Sequence, residues 1–201
     1  MPARSDHRKQ LRARRSRLTE SERLERSVSL CSELARQAVF RSSKRIAAYL
    51  PADGEVETAP LIELAWDMGK QVYLPVLIPY RANRLWFARY EPDTQLVKNR
   101  FGIAEPTIVH RQCIAPYALD LVLAPLVGFD HNGHRLGMGG GFYDRSFAYL
   151  LRRKYWRKPH LIGLAYDFQQ LPRLPSQPWD VPLTAVATDS GWHLFQKGKN
   201  E

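Results

Sequence analysis

Cysteine is scarce in this 201-residue sequence, with only Cys31 and Cys113. Two thiols exclude a disulfide-built scaffold, and buried thiols in a reducing compartment are expected. Long hydrophobic runs are missing as well. The longest, 121–129, is about half of what a membrane-spanning helix needs. The Arg-rich residues 1–17 hold no apolar core of a secretory signal, although they superficially resemble an organellar transit peptide. A cytoplasmic protein with no membrane partner is the expectation. No repeat, low-complexity tract or Ser/Gly linker breaks the chain, so one domain over 1–201 is expected. At 44% hydrophobic and 11% aromatic residues, the composition excludes wholesale disorder.

Acid is what the N-terminal quarter lacks. Residues 1–50 hold thirteen Lys or Arg against five Asp or Glu, which is +8 of the net +10. The isoelectric point is near 9.9. An acidic partner is therefore expected to meet this region, whether nucleic acid, anionic lipid or a small polyanion.

Local signals outline an alternating chain. Residues 7–17 have helical composition, with Arg8 and Arg12 one turn apart on one face. Thr19 with Glu22 reads as a capping box opening a second helix, whose apolar stripe would be Leu24, Val28, Cys31, Leu34, Ala35 and Ala38. Strand patterns cover 45–50, Gln71–Leu77, 84–90, 121–127, 160–166 and 184–188. Thr58 is expected to cap a helix with Pro60 in its first turn, and 142–153 reads as a further helix. Pro75 and Pro125 should make their strands irregular or edge-like. Strands alternating with helices predict a three-layer α/β/α, Rossmann-like domain with a mostly parallel sheet.

Chemistry concentrates in 121–145. A nearly continuous apolar strand, typical of a sheet centre, runs into a turn at 130–133. Gly137, Gly139, Gly140 and Gly141 follow, and then a helix start. Backbone amides freed of side chains can surround an anion there, at the carboxyl end of a strand where open α/β sheets bind ligands. The Lys-Ser/Thr of a Walker A loop is absent, and Phe142 occupies the third-glycine slot of a dinucleotide fingerprint. Arg135 and Arg145 offer phosphate cations, Tyr143 a ring and Asp144 a ligand for a hard metal. His131 with His134, and His110 with Cys113, lack the second half of a zinc site.

Arg135-Leu-Gly-Met-Gly-Gly-Gly-Phe-Tyr-Asp144, after Pro125-Leu-Val-Gly-Phe-Asp130, closely resembles the signature of the 5-formyltetrahydrofolate cyclo-ligases. Arg8-Lys-Gln-Leu-Arg12, Tyr49-Leu50, Asp53-Gly-Glu55-Val-Glu-Thr58, Gly69-Lys-Gln-Val-Tyr-Leu-Pro75-Val, Phe101-Gly-Ile-Ala-Glu-Pro106 and Trp179-Asp180-Val-Pro-Leu follow the family's order, so the resemblance covers nearly the whole chain. It implies an ATP- and Mg²⁺-dependent closure of 5-formyltetrahydrofolate to 5,10-methenyltetrahydrofolate by a monomer. It also implies that the N-terminal helix in 1–18 reaches the ATP site. Arg8, Arg12, Arg135, Leu136, Gly137, Met138, Gly139, Gly140, Gly141, Phe142 and Tyr143 would hold ATP, with Arg135, Tyr143 and Arg12 catalytic. Leu50, Glu55, Phe101, Met138, Phe142 and Tyr143 would line the folate site, and Asp144 and Asp180 would bind Mg²⁺. Some relatives carry basic residues at Met138 and Gly140 and Lys at Arg8. Phosphate neutralisation here is therefore expected to fall on the arginines and the metal. The basic stretch 149–158 would suit a polyglutamate tail on the folate. A nucleic-acid-binding module using the N-terminal arginines, and a nucleotide-binding regulator without turnover, are the competing expectations.

Overall fold

The computed structural model describes residues 3–77, 84–107, 113–153 and 158–195. His110 and the basic positions 154–157 lie outside the described residues. In chain order the helices are α1 (Arg4–Arg15), α2 (Glu20–Arg36), α3 (Ala38–Ser42), α4 (Ala59–Asp67), α5 (Phe142–Phe147) and α6 (Tyr149–Arg152). The strands are β1 (Arg45–Ala47), β2 (Gln71–Leu77), β3 (Leu85–Arg89), β4 (Leu96–Lys98), β5 (Ala104–Pro106), β6 (Cys113–Ile114) and β7 (Leu121–Pro125). They continue with β8 (Gly128–Asp130), β9 (Arg135–Leu136), β10 (His160–Leu164), β11 (Gln170–Leu171), β12 (Ala185–Thr188) and β13 (Gly191–Leu194). No described helix is long and apolar enough to cross a membrane.

Eight strands form the main sheet in the order β13-β12-β10-β7-β1-β2-β3-β6. The inner run from β12 to β2 is parallel, and antiparallel strands close both sides. Alternation along each strand splits the core into two layers. Ile46, Val72, Leu74, Leu121, Leu123, Ile162 and Ala185 face Leu30, Leu34, Phe40 and Leu61 of the α2–α4 side. Ala47, Tyr73, Val122, Ala124, Leu161 and Val186 face the opposite way, onto Phe147 of α5 and the loop residues Val181 and Leu183. The expected mostly parallel α/β architecture is what forms.

A β8–β9 hairpin and β11 make a small second sheet, which the sequence patterns did not indicate. Asp130 sets its turn by accepting from the amides of Asn132 and His134. Leu11 of α1 packs with Val127, Leu136 and Leu174 on this unit. Gly128 permits that approach, because a Cβ there would stand 2.8 Å from Leu11 Cδ1. The hairpin thereby seats α1 beside the loop that follows β9.

Several local expectations are corrected. The buried face of α2 is Ser27, Leu30, Cys31 and Leu34, while Leu24 and Val28 are exposed. Ser27 turns inward because its Oγ accepts from the Glu57 amide at 2.9 Å. Thr58 stands at the N-cap of α4 as expected, but its side chain makes no capping hydrogen bond. Its hydroxyl donates instead to the Tyr49 carbonyl at 2.5 Å. The single helix expected over 142–153 divides at Ala148, next to Ser146, whose Oγ donates back to the Phe142 carbonyl. Pro75 and Pro125 lie in strands of the sheet interior, but each sits past the registers of short β1, which reach only Tyr73 and Val122.

Candidate active site

The glycine loop starts where β9 ends and leads into α5. Gly139 and Gly141 have φ of 102° and 63°, so the turn depends on residues that tolerate left-handed backbone. Cations sit on both flanks of the loop. Arg8 Nε donates to the Gly137 carbonyl at 2.7 Å, and an Arg145 Nη donates to the Gly140 carbonyl. A Cβ on Gly139 would stand 3.9 Å from Arg8 Cζ, which places that guanidinium against the loop. Burial, and then neighbouring Arg4, lower the pKa of Arg8. Met138 is exposed at the loop's crest.

Arg135 lies beneath the loop and is buried. Its Nη2 donates to Asp144 Oδ1 at 2.5 Å and its Nη1 to the Val181 carbonyl. The Val181 amide donates to the same Asp144 oxygen at 3.1 Å. Asp180 accepts from Arg4 Nη1 at 3.0 Å. The structure thus gathers Arg135, Asp144 and Asp180, as the sequence indicated, and adds Arg4, which lay outside the motif. Among the described residues, no group of three His, Cys, Asp or Glu side chains could cage a metal alone. Two carboxylates suit Mg²⁺, an ion that keeps most of its sites for water and phosphate oxygens.

Arg12 is placed differently from Arg8. Its Nε donates to Asp53 Oδ2 at 2.7 Å, and this contact raises the pKa of the guanidinium and lowers that of the acid. The same oxygen accepts from Arg15 Nη2 at 2.9 Å. Asp53 was read from sequence only as the start of a family-like segment, and Arg15 was given no role. For Arg15 a weak signal existed, because it follows buried Leu11 by four residues and so shares its face of α1.

Near the start of α5, aromatic rings gather around one acid, Glu55. Glu55 Oε2 accepts from the Ala52 amide at 3.2 Å, and burial pushes its carboxyl up to about 7 against the pull of Arg15. Tyr143 is partly buried. Its ring stacks on Phe147 with centroids 6.1 Å apart, and Arg135 lies 5.9 Å from its centroid. Desolvation, then the Glu55 charge, raise the Tyr143 phenol well above its ordinary value, so it stays an O–H donor at neutral pH. Leu50 is partly buried against the core, and Phe101 meets Phe142 edge-on at 5.8 Å. Tyr49, which the sequence placed in a family-like segment without a role, and Tyr166, which it did not mark, complete the group. Tyr49 is buried next to Glu55, and Tyr166 Oη donates to the Glu55 carbonyl at 3.4 Å. A glycine loop flanked by Arg8 and Arg145 therefore adjoins a cluster of aromatic rings around Glu55.

A family model described as the 5-formyltetrahydrofolate cyclo-ligase family matches residues 1–189. The 5-formyltetrahydrofolate cyclo-ligase of Escherichia coli strain K12 is 41% identical over 180 residues, 90% of this chain and 97% of the relative. The enzyme of the same name from Haemophilus influenzae is 41% identical over 178 residues, 88% of this chain and 92% of the relative. The solved structure of Aquifex aeolicus 5,10-methenyltetrahydrofolate synthetase superposes with a TM-score of 0.79 at 34% identity, covering 98% of this chain and 95% of that one.

Proposed function

The chain belongs to the 5-formyltetrahydrofolate cyclo-ligase family, an ATP-dependent group, and we propose that it closes 5-formyltetrahydrofolate to 5,10-methenyltetrahydrofolate with release of ADP and phosphate. The observation that carries this reading is the adjacency just described. A glycine loop bracketed by Arg8 and Arg145 lies next to a cluster in which Glu55 stands among Tyr49, Tyr143 and Tyr166.

Phosphoryl transfer asks a protein mainly for position and charge neutralisation. The loop amides and Arg8 hold the triphosphate, Arg145 covers the far flank, and α1 is the arm that delivers Arg8. Arg12 lies one turn along α1 and exchanges Asp53 for phosphate. Arg135, locked by Asp144 and Val181, is a fixed cation below the transferring group. The N5-formyl oxygen attacks the γ-phosphorus, the bond to the β-phosphate oxygen breaks, and ADP leaves. N10 then attacks the formyl carbon of the resulting iminium-like ester and gives up its proton. The carbon–oxygen bond breaks, and phosphate departs.

On the folate side, Glu55 in its ionised form accepts from the donor edge of the pterin. Leu50, Phe101, Met138 and Phe142 supply apolar walls, and Tyr143 donates its hydroxyl. Asp144 and Asp180 are the residues that would hold Mg²⁺, which when bound neutralises phosphate charge. Four of the N-terminal cations, Arg4, Arg8, Arg12 and Arg15, make contacts inside the molecule. That use favours the ligase over a nucleic-acid-binding stripe.

The test is direct. Purified protein with ATP, Mg²⁺ and 5-formyltetrahydrofolate should develop the methenyl chromophore, with one ADP formed per product. ATP binding without product would instead identify a regulator. Steeply salt-dependent RNA binding without ATP binding would identify a nucleic-acid module.

A further inference from the structure

Arg15 is among the largest wholly buried side chains of the protein, 1% exposed, and phosphoryl transfer has no need of it. A guanidinium leaves water only where its charge is answered. Here Nη2 meets Asp53 Oδ2 at 2.9 Å, while Nη1 stands 4.0 Å from Glu55 Oε1 and 3.4 Å from the Leu126 carbonyl. The chain is bent around it. Asp53 and Gly54 are consecutive left-handed residues, with φ of 53° and 72°, and Asp53 adopts that conformation despite carrying a side chain. A Cβ on Gly54 would stand 3.4 Å from Arg15 Cγ, so the 52–55 turn lies directly on the arginine's methylenes. The Glu55 amide closes this turn by donating to the Ala52 carbonyl at 3.0 Å.

We propose that Arg15 is a positioning residue for the folate site, holding the Glu55 carboxylate beside Tyr49 and Tyr143 by gripping the turn that carries it. This rests on the reading of Glu55 as the pterin's acceptor. The groups facing Glu55 are Arg15 from α1, Asp53 from its own turn, Tyr49 beyond β1 and Tyr143 of α5. Arg15 is the cation among them. Burial and Asp53 oppose ionisation of Glu55, while Arg15 and the Ala52 amide favour it. Without Arg15 the carboxyl would stay protonated to higher pH and lose its value as an acceptor. Asp53 Oδ2 is also the oxygen that holds Arg12, so one acid touches both the folate-positioning and the phosphate-binding arginine.

The experiment begins without ligand. Full-length chain labelled with ¹³C-glutamate is titrated by NMR, and the Glu55 signal is assigned by its loss in Glu55→Gln. The Glu55 midpoint should rise by about one pH unit or more in Arg15→Met, and by less in Arg15→Lys, which keeps the charge but not the fork. In turnover near neutral pH, KM for 5-formyltetrahydrofolate should rise about tenfold in Arg15→Met, with KM for ATP within about threefold. Adding Arg15→Met to Glu55→Gln should cost no further folate affinity. An unmoved midpoint, or fully additive losses in the double variant, overturns the proposal. Should Arg15→Met fail to fold, the same midpoint and KM criteria apply to Arg15→Lys. A wild-type enzyme that never turned over 5-formyltetrahydrofolate would sink the functional reading, and the ligand-free titration would still decide whether Arg15 governs Glu55.

Discussion

The two halves of the site handle carboxylates in opposite ways. On the loop side, Asp144 and Asp180 each meet a guanidinium within hydrogen-bond distance, 2.5 Å from Arg135 and 3.0 Å from Arg4. On the aromatic side, Glu55 is half-buried, and the nearest cation to it, Arg15, stands 4.0 Å away. The loop side is built from paired charges that a polyanion can rearrange. The aromatic side leaves Glu55 partly desolvated, which raises its carboxyl to about 7. Identical chemistry in the side chain thus serves two purposes, and the surroundings choose between them.

Asp144→Ala gives the sharpest break of that contrast. It frees Arg135 and the Val181 amide and removes a carboxylate from the phosphate end. We expect kcat to fall on the order of 10²–10³-fold, with Kd for 5-formyltetrahydrofolate unchanged in direct titration. A weakened folate Kd would show that the halves are not separable. Glu55→Gln should act in the other half, raising KM for folate about tenfold or more and leaving KM for ATP in place.

Glu55 also sets a pH dependence whose sign is opposite to that of an ordinary ion-paired acid. Its folded-state pKa lies above the usual 4.5, at about 7. Its contribution to stability is therefore fullest at low pH and is lost as pH rises through that interval. Above neutrality Glu55→Gln should melt higher than wild type, by on the order of 2 kcal/mol, and the gain should vanish near pH 4. Folate binding by wild type should weaken as pH falls below about 7, the opposite trend, because binding uses the ionised form.

Arg8→Ala should raise KM for ATP about tenfold, and more than Arg12→Ala, because only Arg8 already touches the loop. Equal effects would mean that Arg12 leaves Asp53 completely when nucleotide binds. The smallest change is the control. Thr19→Ala removes the hydroxyl that accepts from the Glu22 amide and should cost about 1 kcal/mol in denaturant unfolding, with neither KM altered.

Where a signal is local, it was legible. The Thr19–Glu22 capping box forms as written, with the Thr19 amide donating to Glu22 Oε2 at 2.8 Å. β2 occupies Gln71–Leu77 as its pattern indicated, and β7, which ends at Pro125 rather than at 127, lies in the middle of the main sheet. The glycine run, with Arg135 and Asp144 at its ends, was visible because backbone freedom and charge occur together in a few residues. Arg8 and Arg12 were visible as a pair but not as different in role. Leu24 and Val28 misled because periodicity fixes a stripe and not which side of it meets the sheet. Ser27, bonded to the Glu57 amide, turned α2 otherwise.

The parallel strands of the main sheet, its main helices and the glycine loop follow from patterns within single elements, where side-chain alternation and glycine freedom act over a few residues. Docking decided the rest. Only when α1 settles on the β8–β9 hairpin does Arg15 come under the 52–55 turn, Arg8 onto Gly137, and Arg4 onto an acid 176 residues further along. Burial and ion pairing between such distant segments depend on where whole elements come to rest, and spacing along the chain carries no record of that.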